Sequence, residues 1–196
     1  MAKRRKSASA DSSVSLDGIF AIAEPVAFAQ ALSERVYQRW HNIGFDALAP
    51  GEKLIIRLNA FVGEINTNGF DGLLFNCTGD CVHEIYDDLL LLGARRAAGL
   101  VKEAIDFFPK ARVPKDESTR REFLLSLAGN KKSEYEALVS RLSEAIDQPE
   151  TALDLSSLVS RYARRTRFDF EESHAEPGAT PRTNQSGLSK SHGIEG

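Results

Sequence analysis

Four large apolar side chains, Phe70, Leu73, Leu74 and Phe75, fall within six positions of the run from Asn68 to Asp80. That is too much apolar surface for a solvated loop, so the run must pack inward. It is also punctuated. Asn68-Gly69 is a turn dipeptide that tolerates positive φ, and Gly79 is a second flexible point. The stretch predicts a buried joint holding one or two turns of helix. Asn66, Asn68, Asn76 and Thr78 supply amides and hydroxyls that can satisfy exposed backbone around it. Asp80 is predicted to cap the next helix, its carboxylate accepting from the first free N–H groups. The plain account of the stretch is structural; the alternative is a functional pocket.

The segments on either side read as helices. Phe28, Leu32, Val36 and Trp40 recur every fourth residue after Pro25 and predict a buried stripe ended by Gly44, with His41 facing solvent. Ile55, Leu58, Phe61, Val62 and Ile65 follow Pro50 in the same way. After the joint, Val82, Ile85, Leu89 and Leu92 form a stripe, and Asp80, Glu84, Asp87 and Asp88 lie across from it. This helix is therefore expected to present a negative face. Ala97, Val101, Ala104 and Phe108 continue up to Pro109, their small side chains allowing close helix approach. Pro114 and Asp116 open a helix carrying Phe123, Leu124 and Leu127, closed by Gly129. Ser133 with Glu136 has capping-box spacing and predicts a helix start, with Tyr135, Leu138, Leu142 and Ile146 inside. Thr151 and Asp154 suggest the cap of a last helix bearing Leu155, Leu158, Val159 and Tyr162. No run alternates convincingly as a strand. The prediction is all-α: one compact domain of about seven helices over residues 18–172. Residues 1–17 are basic and residues 173–196 rich in Ser, Gly, Thr and Pro; both are expected to be disordered tails.

A chain of 196 residues suits one domain with a sizeable core. No window approaches the roughly 18 apolar residues that span a bilayer. The start, with Lys3, Arg4, Arg5 and Lys6, is followed by Ser and Ala rather than an apolar core, unlike a secretory signal. Cys77 and Cys81 are the only two cysteines, which fits a reducing cytoplasm. The net charge of −3 hides a polarity. Of the 25 Lys and Arg and the 28 Asp and Glu, six basic and two acidic residues lie outside residues 14–176, leaving that body at −7. An acidic body disfavours direct nucleic-acid binding and favours a basic partner.

The chemistry of known catalytic sites is poorly represented. His83-Glu84 lacks the second His that a zinc-protease helix needs, because Asp87 stands there. Cys77, Cys81 and His83 are too few for a closed zinc site. The four histidines leave no credible partner set for a nucleophilic cysteine. Neither phosphate-cradling glycine loops nor a Gly-x-Ser-x-Gly elbow occurs. No catalytic residue, metal or cofactor is predicted. Arg161, Arg164, Arg165 and Arg167 interleave with Tyr162 and Phe168, a pattern compatible with single-stranded nucleic acid. Asp169, Glu171 and Glu172 follow and favour a local ion-pair segment instead.

The residues Asn68-Gly69-Phe70, then Phe75-Asn76, then Gly79-Asp80 resemble the Asn-Gly-Gly-Phe…Asn-Ser-Ser-Gly-Asp signature of the DNA mimic protein 19 family. Leu92-Gly93-Ala94, Ala97-Ala98, Ala104 and Phe108-Pro109 look like that family's next helices, so the likeness covers roughly residues 24–130. This chain departs from the pattern at Asp71-Gly72, at Leu73-Leu74 and at Cys77-Thr78. The resemblance implies an all-helical domain, largely bacterial. One family member is a dimer whose acidic face imitates duplex DNA and captures a transcription factor. The expectation is a non-enzymatic interaction protein, a homodimer as the resemblance implies, contacting a basic partner through Asp80, Glu84, Asp87 and Asp88. A rival expectation, from a different class, is a small-molecule site or enzyme whose pocket Asn66, Asn68, Asn76, Thr78 and Asp80 would line.

Overall fold

A computed structural model describes residues 15–148 and 154–170. The described residues form α-helices and short 3₁₀ turns, with no strand among them. The helices are α1 (Leu16–Phe20), α2 (Pro25–Ile43), α3 (Pro50–Phe75), α4 (Val82–Leu92), α5 (Arg95–Asp106), α6 (Glu117–Leu125), α7 (Gly129–Ile146) and α8 (Leu155–Arg165). The all-α prediction holds, with eight helices rather than about seven, the extra one being the five-residue α1. Leu16 and Asp17, assigned above to the basic tail, belong to α1. The rest of the two expected tails lies outside the described residues, apart from Ser15, which caps α1.

α3 is the central element and touches α2, α4, α6 and α7. Its inner face buries Leu54, Ile55, Leu58 and Phe61 almost completely. Each such side chain contributes about 1.5–3 kcal/mol of transfer free energy. Pro50 sits at the first helical position, where its missing N–H costs nothing. Buried Glu52 then reaches back to accept from the Ala49 N–H at 3.0 Å and pairs with Arg39 at 2.7 Å. Gly51 is needed for packing, since a Cβ there would stand 2.6 Å from the Phe170 ring. α2 starts on Glu24, whose carboxylate accepts from the Val26 and Ala27 N–H groups at 2.8 and 2.6 Å. α4 ends at Gly93, which takes the left-handed conformation (φ 82°) and turns the chain into α5. Ala97, Ala98, Val101 and Ala104 form the buried face of α5, as the small-residue stripe predicts.

Three expectations are corrected. Trp40 is not core: it is 39% exposed, and its ring lies 5.9 Å from that of Tyr37, also exposed. The reason is arithmetic. A four-residue period overshoots the helical repeat by about 40° per step, so three steps from Phe28 turn the stripe through roughly 120°. Ser133 and Glu136 do not start a helix. α7 begins a turn earlier, after Ala128, so Gly129 opens α7 rather than closing α6. One tertiary contact accompanies the earlier start, Lys131 lying over the Phe107 ring at 4.5 Å, and Lys131 also pairs within α7 with Glu134 at 2.8 Å. Glu136 approaches Lys132 instead of a cap N–H. Asp154 does cap α8, accepting from the Ser157 N–H at 3.0 Å; its suggested companion Thr151 lies outside the described residues.

The arginine-rich end behaves as structure. Arg164 donates to the carbonyls of Phe20 and Ile22 and lies over the Phe28 ring at 4.4 Å. Arg167 pairs with Asp17 and covers Phe20. Tyr162 donates to Asp169 at 2.9 Å. These contacts pin α1 onto α2 and α8, Asp169 is engaged locally by Tyr162, and Glu171 and Glu172 of the expected local ion-pair segment lie outside the described residues.

Candidate functional sites: the joint and the outer face of α4

The backbone leaves helical geometry at Gly69 (φ 64°, ψ −160°), then forms the last turn and a half of α3 from Phe70 to Phe75. A 3₁₀ turn, Cys77–Cys81, leads into α4. Phe70, Leu73 and Leu74 are fully buried. Gly69 has two reasons to be glycine: its positive φ, and a Cβ that would stand 2.5 Å from the Ser143 hydroxyl. That hydroxyl accepts from the Phe70 N–H at 3.0 Å and so satisfies the donor freed by the break.

The end of the Phe70–Phe75 turn points its free carbonyls at two arginines of α6. Arg120 is 0% exposed. Its guanidinium donates to the carbonyls of Leu74 (2.5 Å), Pro114 (2.7 Å) and Asn76 (2.5 Å), and pairs with Asp80 at 2.9 Å. Arg121 donates to the Phe75 carbonyl at 2.9 Å and lies over the Phe75 ring at 4.6 Å. Cations at a helix C-terminus satisfy its orphan acceptors and its dipole. Gly79 makes room for this: a Cβ there would meet Arg120 Nε at 2.6 Å and the Leu73 carbonyl at 2.7 Å. On the other side Glu64 accepts from the Asn68 and Asn76 amides, both at 2.8 Å, and weakly from the Thr78 hydroxyl at 3.4 Å.

Asp80 is therefore not the cap of α4. The cap position is Cys81, whose side chain makes no capping bond, and the 3₁₀ turn carries Asp80 toward Arg120 instead. The Cys81 thiol donates to the Thr78 carbonyl, and burial pushes it up to about 11, so it is no nucleophile at neutral pH. His83 accepts from the Val113 N–H at 3.3 Å.

The expected row of four carboxylates on α4 separates into three environments. Asp88 does not face solvent. It is 6% exposed and held by Arg57 through two bonds, at 2.6 and 2.9 Å. Burial raises its carboxyl above the ordinary range, against the pull of Arg57. The sequence carries the cause: Asp88 lies three residues after Ile85 and four before Leu92, on the edge of the buried stripe. Glu84 is half-buried and paired with Lys115. Burial, the largest single influence, would raise its carboxyl, but the Lys115 bond, a backbone N–H and the charges of Lys115 and Arg57 together lower it. Asp87 is exposed. Leu90 and Leu91 stand exposed beside it, at 43% and 52%.

Two surface grooves accompany these features. One, of about 610 Å³, runs between α2 and α8 past Ser33, Tyr37 and Val159. The other, of about 460 Å³, lies between α6, α7 and the end of α3. Neither is lined by Asn66, Asn68, Asn76, Thr78 or Asp80. Four of those five bond their side chains to Glu64 or Arg120 within the joint's own network. Arg120, Glu64 and Ser143 were missed from the sequence. The signal for Arg120 was present, because it lies four residues before Leu124 on the buried stripe of α6. Glu64 and Ser143 carried none.

The class defined by these features is a compact all-helical domain with a polar-locked joint at its centre. The family model described as "DMP19-like protein" matches residues 46–166, which takes in the joint, Arg120 and the whole of α3 through α8. The chain belongs to the DMP19-like protein family. No curated protein and no solved structure matches it. No helix among the described residues is long and apolar enough to cross a membrane.

Proposed function

We propose that this chain is a non-enzymatic interaction protein that binds a basic, DNA-binding protein through an acidic helical surface, in the manner of a DNA mimic. Membership in the DMP19-like family is the observation that carries the reading. The acidic body and the position of Asp87 on the outer face of α4, with Glu84 beside it, support it. Asp88 acts behind that face, buried against Arg57, and Asp80 is partly exposed but paired with Arg120. The two free thiols suit a reducing cytoplasm. A homodimer would double the acidic surface and fits the same reading.

The test is titration of the full chain with purified DNA-binding proteins at two salt concentrations, with duplex DNA as competitor. Charge-driven capture weakens with salt, and DNA displaces the chain. Binding indifferent to both, or no binding across such a panel, would overturn the proposal.

A further inference from the structure

The groove of about 460 Å³ between α6 and α7 is independent of the outer face of α4. We propose that it docks a peptide segment of a partner protein that carries an aliphatic anchor next to a lysine or arginine. Its walls are apolar: Phe75, Leu124, Tyr135 and Val139, the last three nearly buried. At its lip Leu125 is 73% exposed, an unusual position for a leucine on a short helix. A groove with so open a lip would not enclose a small molecule, which needs most of its surface covered. It suits an elongated ligand that lays apolar side chains along it.

Charge decides the rest of the ligand. Two carboxylates, Asp71 and Glu136, line the groove against one ammonium, Lys132. Asp71 is fixed in place because one of its oxygens accepts from the Tyr135 hydroxyl at 2.7 Å. That leaves its other oxygen for an incoming cation. Lys132 holds Glu136 at only 3.8 Å, an exposed pair that a better-placed guanidinium can displace. An acidic peptide or a phosphate would meet the same carboxylates as repulsion.

Anisotropy titration of the full chain with three labelled peptides, each about 12 residues or three turns long, tests this. The first carries leucines at helical spacing with flanking lysines. The second replaces its leucines by serine, and the third its lysines by glutamate. The first peptide binds saturably, and the other two bind at least about tenfold more weakly. Leu125→Ser, an exposed change that leaves the melt in place, weakens the first peptide by about tenfold. Glu136→Lys abolishes the preference for lysine over glutamate. Failure of the first peptide to bind, equal binding of all three, or undiminished binding by Leu125→Ser would overturn the proposal. So would loss of binding in Glu84→Gln/Asp87→Asn with Leu125→Ser unaffected, since that places the peptide on α4. The capture of DNA-binding proteins does not use this groove, so either proposal can fail alone.

Discussion

The joint and the outer face of α4 adjoin in sequence and use the same residue types to opposite ends. At the joint, Asn68, Asn76, Thr78 and Asp80 are all bonded to Glu64 or Arg120, Asn68 at the exposed edge, and leave little for a ligand. On α4, Asp87 makes no such bond and faces water. A polar cluster in a sequence is thus not a site until its internal partners are counted. The segment that most resembles the family signature holds the fold, and the plainer carboxylate a few residues later is the one left exposed.

If that contrast is right, breaking the joint costs stability first. The largest effect belongs to Arg120→Met. It strips a fully buried cation from three backbone carbonyls and from the partly exposed Asp80. The expected loss is about 3–5 kcal/mol, because buried acceptors are left unpaired. The melting temperature should fall on the order of 10 °C. A shift within error would mean Arg120 is not the lock.

Gly79→Ala comes next. Its Cβ would collide with Arg120 and with the Leu73 carbonyl, neither of which is free to move, at a cost of about 1–3 kcal/mol. Gly63→Ala sharpens the comparison, because the same substitution earlier in α3 meets nothing within 4 Å. There it should stabilise by about 0.5–1 kcal/mol through helix propensity alone. Denaturant melts of the two variants should move in opposite directions; movement in the same direction would contradict the packing assigned to the joint.

The smallest effect is electrostatic and lies at the helix starts. The Ala27 and Val26 N–H groups hold the Glu24 carboxyl below its ordinary 4.5. The Thr119 and Ser157 hydroxyl and N–H groups hold Asp116 and Asp154 below 3.8. A depressed folded-state value adds stability above the ordinary value and loses it as pH falls through the depressed one. Asp116→Asn should therefore lower the melting temperature slightly at pH 6, and the gap to wild type should close as pH falls below about 4. A gap independent of pH would remove the charged cap from the account.

Much of the helical layout was legible. Pro25, Pro50, Asp116 and Asp154 mark helix starts because their chemistry is local: a fixed φ, or a carboxylate within three residues of free N–H groups. The capping-box spacing at Ser133 misled because α7 starts a turn earlier, where Lys131 lies over the distant Phe107 ring, a contact that local spacing cannot carry. Trp40 misled because a four-residue stripe drifts around the helix. The joint was legible as a buried turn, from Gly69 and the four apolar side chains. Its partners were not, since Ser143 and Arg120 lie 73 and 46 residues away from the groups they bind. Asp88 could have been separated from Asp87 by its register against Ile85 and Leu92.

The most direct measurement compares Glu84→Gln/Asp87→Asn with wild type in two readouts: the thermal melt, and the salt-dependent affinity for a DNA-binding protein that wild type captures. The division between joint and face predicts a melt nearly unchanged, because the half-buried Glu84 pairs only with the well-exposed Lys115 and surface pairs of this kind contribute about 0–1 kcal/mol. It also predicts weaker binding with a shallower salt dependence, two carboxylates having been removed. Unchanged affinity and slope would contradict it, and a cooperative loss of fold in this variant would contradict it equally.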